Sequence, residues 1–93
     1  MTDESTRMHV VFSGHVQGVG FRQTTVQIAR SHPVTGWVKN LSNGNVELVA
    51  EGTKSACSEF LASIRQRMFE FVNDIDCQWT APSNEFDHFE IHY

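Results

Sequence analysis

Three of the chain's six glycines fall within seven residues, Gly14-His-Val-Gln-Gly-Val-Gly20. This cluster constrains the fold strongly because of what flanks it. Before it, Met8-His-Val-Val-Phe-Ser13 is rich in β-formers and predicts a strand. After it, Phe21, Thr25, Ile28 and Ala29 recur at helical spacing until Ser31-His-Pro33 stops the helix. The glycines therefore mark a strand-to-helix turn. They allow positive φ and remove the Cβ atoms that would block a curled backbone or a close ligand.

The remaining segments alternate between the two periodicities. Val34–Leu41 predicts a second strand, and Asn43-Gly44 supplies a type I′ turn into an antiparallel partner over Asn45–Glu51. In that partner Val46, Leu48 and Ala50 alternate with Glu47, Val49 and Glu51, which places the first set on the core side. From Lys54 to Met68, the positions Cys57, Phe60, Leu61, Ile64 and Met68 trace the apolar stripe of a half-buried helix. Ile75, Cys77 and Trp79 give a fourth strand, and Phe89, Ile91 and Tyr93 a fifth. The order β-α-β-β-α-β plus a fifth C-terminal strand predicts an α+β fold. It is a ferredoxin-like sandwich with two helices on one face of an antiparallel sheet.

Residues 1–7 are polar and read as a flexible tail ahead of one domain over 8–93. A chain of 93 residues supports one core, not two. Its net charge of −4 provides no general attraction to nucleic acid or an anionic membrane, so an anionic ligand needs a local device. Without a signal-like apolar run or a membrane-length segment, a cytoplasmic location is expected. Cys57 and Cys77 have no metal-ligand spacing and read as reduced thiols facing the helix–sheet core. Trp37 and Phe21 are assigned to the core. His88 and His92 flank Glu90 on one strand face; this fits solvent-facing alternation better than a metal site.

The glycine turn suggests such a device. A strand entering a helix leaves N–H groups that converge at the positive end of the helix dipole, an arrangement suited to an anion. Arg22 falls in the first helical turn, where a cation is unfavourable for the helix itself, but its planar fork suits a phosphate. The same loop could also be a tight connection with a solvated arginine. It lacks the Gly-Lys-Ser/Thr ending of a nucleotide-binding loop, has no cysteine and offers no obvious nucleophile.

Gly14-His-Val-Gln-Gly-Val-Gly-Phe-Arg22 resembles the phosphate-binding signature of the acylphosphatases, and Gly36-Trp-Val-Lys-Asn40 with Asn43-Gly44-Asn-Val-Glu47 resembles their second signature. The resemblance covers residues 8–93, including the ending Phe89-Glu-Ile-His-Tyr93. It implies metal-free, cofactor-free hydrolysis of acyl phosphates to a carboxylate and inorganic phosphate. By the same resemblance, Arg22 binds the phosphoryl group and Asn40 orients the attacking water. The backbone of His15, Val16, Gln17, Gly18, Val19, Gly20, Phe21 and Arg22 cradles the phosphate. The implied partners are small acyl phosphates, with inorganic phosphate or sulfate as product or inhibitor, and a monomer is expected.

Two positions depart from the family pattern. His15 stands where Arg or Lys is common, and Gln66-Arg-Met-Phe-Glu-Phe71 lacks the expected Gly and Pro. Other functions fit less well. A binding module without turnover would not need both Arg22 and Asn40, and the same holds for a regulatory domain. An RNA-binding sheet needs central-strand aromatics and a basic face, whereas Asn45–Glu51 contains no aromatic.

Overall fold

The computed structural model describes residues 4–93. The elements are β1 (Ser5–Gly14), α1 (Phe21–Ala29), β2 (Thr35–Asn40), β3 (Val46–Thr53), α2 (Lys54–Arg67), β4 (Val72–Thr80) and β5 (Phe89–Ile91). They form one five-stranded sheet in the order β4-β1-β3-β2-β5. Met8, Val10 and Phe12 of β1, with Val46, Leu48 and Ala50 of β3, are fully buried on the helix face. Phe21 and Ile28 of α1 and Phe60 and Ile64 of α2 close over them in a single cluster. The ferredoxin-like architecture expected from the sequence is present. Among the described residues, no helix is long and apolar enough to cross a membrane.

The sheet is mixed rather than wholly antiparallel, because β5 runs parallel to β2. β4 is antiparallel to β1, which shares its direction with β2. The chain thus leaves β4 at the end of the sheet where β2 begins, and residues 81–88 carry it along that end to the far edge, where β5 runs back opposite to β4. Gly36 N–H donates to His88 O (3.0 Å), joining this strap to β2.

Further sequence expectations are corrected. Ser5, Thr6 and Arg7 belong to β1 rather than to a tail, because they pair with Thr53, Gly52 and Glu51. Residues 1–3 of that expected tail lie outside the described residues. The β2–β3 turn is not type I′: among the described non-glycine residues only Asn84 has positive φ, so Asn43 does not supply one. Instead, Gly44 N–H donates to Leu41 O (3.2 Å), Leu41 N–H donates to Asn45 O (2.8 Å), and Gly44 takes φ +94°. This is a three-residue loop with a glycine bulge.

Trp37 lies on the face opposite buried Val38 and stacks on His92 (5.2 Å between centroids), so it is not a core residue. Val49 and Glu51 are buried along with the set expected to face the core. The strap covers Glu51, and Val49 lies between His9 and Trp37. α2 ends without Gly or Pro: Met68 caps it by donating to Ile64 O, and Phe71 N–H turns back to Met68 O. Cys57 is buried, with its Sγ donating to Ala50 O (3.8 Å), and Cys77 is half-buried; the two are not joined in a disulfide.

Candidate active site

The loop between β1 and α1 is held at both ends by apolar anchors. Val16 is fully buried, and Phe21 packs on Phe12 with ring centroids 4.9 Å apart. Between the anchors Gly18 (φ +78°) and Gly20 (φ +76°) turn the backbone left-handed. A Cβ at either would meet nothing within 4 Å, so the positive φ, not protein crowding, calls for glycine there.

Gly20 is also the N-cap of α1, and it provides no side-chain cap. Thr24 N–H donates to Gly20 O (3.0 Å) to begin the helix. Among the described residues, no carbonyl or side chain accepts from the N–H groups of residues 15 to 23. Orphan helix N–H groups need water or a ligand. The first turn of α1 carries no acid, and among the described residues Arg22 has no carboxylate partner. Its guanidinium lies 5.3 Å from the centroid of the Tyr93 ring.

Asn40 closes β2 on the same face as Val38. With Val16, Gly18, Gly20, Phe21, Arg22 and Gln23 it lines a pocket of about 110 Å³. That volume suits one phosphoryl group or a few waters. Larger grooves lie elsewhere, including one of about 460 Å³ beside Leu61, Phe69 and Cys77. Among the described residues, none of these is lined by the glycine loop, Arg22 or Asn40. His88 and His92 each meet Glu90 through Nε2, at 2.5 and 3.1 Å. Among the described residues, no group of three His, Cys, Asp or Glu side chains could hold a metal ion.

The family model for acylphosphatase matches residues 8–91, the whole of this architecture except its outermost residues. The chain belongs to the acylphosphatase family. It is 38% identical over 85 residues to an acylphosphatase of Bacillus licheniformis, covering 90% of this chain and 94% of that one. It is 39% identical over 92 residues to one of Haloquadratum walsbyi, covering 98% of each. The crystal structure of acylphosphatase from Bacillus subtilis superposes with a TM-score of 0.87 at 32% identity, covering 95% of this chain and 99% of that one.

In this acylphosphatase, Arg22 and Asn40 meet at one pocket although they are distant in sequence. Val16, Gly18, Gly20 and Phe21 line it too, while Val19 packs against the core. The His15 side chain is exposed and outside the lining. Three features were not read from the sequence. Gln23 lines the pocket, Tyr93 meets Arg22, and the Gln17 side chain leaves the pocket for the β2–β3 turn. Gln23 was discoverable as the neighbour of Arg22. The other two contacts span too much sequence to leave a local pattern.

A second charged cluster lies at the end of β3. Glu51 is only 5% exposed and accepts from Arg7 Nε (2.8 Å), Ser83 N–H (2.7 Å), Ser83 Oγ (3.1 Å) and Asn84 N–H (2.9 Å). Burial pushes its carboxyl pKa up, but the bonds from Ser83, Arg7 and Asn84 outweigh this and hold it below the ordinary value. This cluster is structural: it fastens the strap to the sheet.

Proposed function

We propose that this acylphosphatase hydrolyses the carboxyl–phosphate anhydride of small acyl phosphates to a carboxylate and inorganic phosphate. The reading rests on one observation. Arg22, Asn40 and loop residues whose N–H groups have no acceptor among the described residues line one pocket the size of a phosphoryl group. The N–H groups and the guanidinium hold the phosphoryl oxygens and stabilise the charge that builds on them in the transition state.

Asn40 orients the attacking water. Its amide can donate and accept but cannot remove a proton at neutral pH. The water oxygen forms a bond to phosphorus as the bond to the acyl oxygen breaks, and the carboxylate leaves with that electron pair. The water proton passes to a phosphate oxygen of the substrate. A carboxylate is a good leaving group, which explains why a strong general base is unnecessary.

The chain's own cationic and N–H groups supply the charge the step requires, so the reading includes independence from metal and cofactor. Inorganic phosphate or sulfate occupies the same cradle as product or inhibitor. We take the enzyme to act as a cytoplasmic monomer on small molecules rather than on nucleic acid or membrane. The test is release of inorganic phosphate from an aryl-acyl phosphate, with and without chelator. Steady release without a burst, at equal rates in both, is expected. Activity lost with chelator and restored by a divalent ion overturns the mechanism.

A further inference from the structure

Gln17 sits within the phosphate loop, yet its side chain turns away from the pocket. Its Nε2 donates to Leu41 O and to Asn45 O, each at 2.8 Å. An amide NH2 has two hydrogens, so both donors are used. The acceptors close the β2–β3 turn: Leu41 follows Asn40 directly, and Asn45 O also accepts from Leu41 N–H (2.8 Å). Among the described residues, these are the only side-chain hydrogen bonds from residues 15–20 to that turn.

We propose that Gln17 is a positioning residue that sets the distance between the phosphate cradle and the water-orienting amide of Asn40. This rests on the functional reading above. The loop carries the cradle on its backbone, whereas Asn40 belongs to a different hairpin. A reaction in which water must approach phosphorus in line needs the two parts held in fixed register. The half-buried Gln17 amide bridges them and touches neither the pocket nor the reacting atoms. Glutamine suits the position because one nitrogen supplies two donors to two carbonyls. A carboxylate there would set negative oxygens against both acceptors.

The consequence is a split between turnover and affinity. A misplacement of about 1 Å can cost on the order of 10²-fold in rate, so Gln17→Ala is expected to lower kcat at least tenfold. Dissociation of inorganic phosphate from the variant should change by less than about threefold, because the cradle N–H groups and Arg22 remain.

The decisive experiment is a double-mutant cycle with Asn40→Ala, read as kcat on an aryl-acyl phosphate with circular dichroism of each variant. If Gln17 acts through Asn40, its loss costs little more than about twofold once Asn40 is gone. A full additional loss in the Asn40→Ala background overturns the proposal, as does an unchanged kcat in Gln17→Ala. A matching loss of phosphate affinity also overturns it, since Gln17 would then shape the cradle itself.

Gln17→Glu provides a check should the alanine variant fold poorly. Its turnover should recover relative to the parent as the pH is lowered and the new carboxyl regains a donor. A pH profile parallel to the parent's would refute the coupling. Failure of the functional reading is separate, because it shows in the parent enzyme as absent phosphate release or in Asn40→Ala as full turnover.

Discussion

The two helices of this fold begin in opposite ways. At the start of α2, Thr53 takes an extended backbone and its Oγ1 accepts from Ala56 N–H (3.1 Å), so the protein caps its own helix. At the start of α1, Gly20 is left-handed and provides no side-chain cap, and the first turn carries Arg22, which has no carboxylate partner among the described residues. Both termini present orphan donors and a positive dipole end. One is completed by the chain and the other is left open. Placing Asn40 beside the open one turns a structural deficit into a candidate site. The Glu51 cluster reinforces this contrast, because there the protein supplies the anion itself and surrounds it with donors.

The contrast is most exposed to test at Arg22. Arg22→Ala should lower turnover by about 10²–10³-fold and weaken phosphate binding, since a directed electrostatic donor is lost in both ground and transition states. Circular dichroism should remain that of the parent, because Arg22 is not part of the core cluster. Arg22→Lys should recover binding better than turnover, keeping charge without the planar fork. Near-normal activity in a folded Arg22→Ala protein would end the reading of α1 as the open terminus.

Asn40→Ala should lower kcat by about 10²-fold while leaving phosphate affinity nearly intact, because the cradle survives without its water-orienting amide. Equal losses in kcat and affinity would mean that Asn40 holds phosphate instead of water.

Glu51→Gln removes the protein's internal anion. It should lower stability by about 1–3 kcal/mol in urea unfolding, the range for leaving buried donors poorly satisfied. Activity per folded molecule should be unchanged. The folded-state pKa of Glu51 lies below its ordinary value, so the folded protein holds the ionised form more tightly. Its stabilisation is present in full above the unfolded pKa, near 4.5, and is lost as pH falls through the folded value. Below that window, parent and Glu51→Gln should converge in stability. A constant gap at all pH values would assign the effect to packing.

The smallest effect is expected at the capped helix. Thr53→Ala should cost about 1 kcal/mol of stability without altering kcat. Millimolar phosphate should raise the melting temperature of parent and Thr53→Ala alike, by mass action at the other terminus. A phosphate effect that disappeared with Thr53 would place the anion at the wrong helix.

Much of this is legible in the amino-acid sequence. Val46, Leu48 and Ala50 announced their burial by alternation, and Phe60 and Ile64 by helical spacing. The glycines of residues 14–20 and Arg22 marked the loop, and the family motif linked it to Asn40. What was misread concerns coverage by distant segments. Glu51 looked solvent-facing because its partners Ser83 and Asn84 lie more than 30 residues away on the strap. Trp37 looked like core because its bulk is apolar, whereas the register of β2 turns it away from Val38.

The sequence by itself therefore determined the elements, their order, the left-handed loop and the identity of the groups that can meet a phosphate. The elements and the loop follow from near-neighbour sterics and side-chain periodicity, whereas the joining of Asn40 to Arg22 as site residues follows from the family motif. Only the tertiary structure decided that β5 runs parallel to β2, that the strap buries Glu51, that Tyr93 meets Arg22 and that Gln17 joins the loop to the hairpin of Asn40. Each is a contact between segments far apart along the chain. It is set by which faces the collapsed core leaves within reach, and no short-range pattern encodes it.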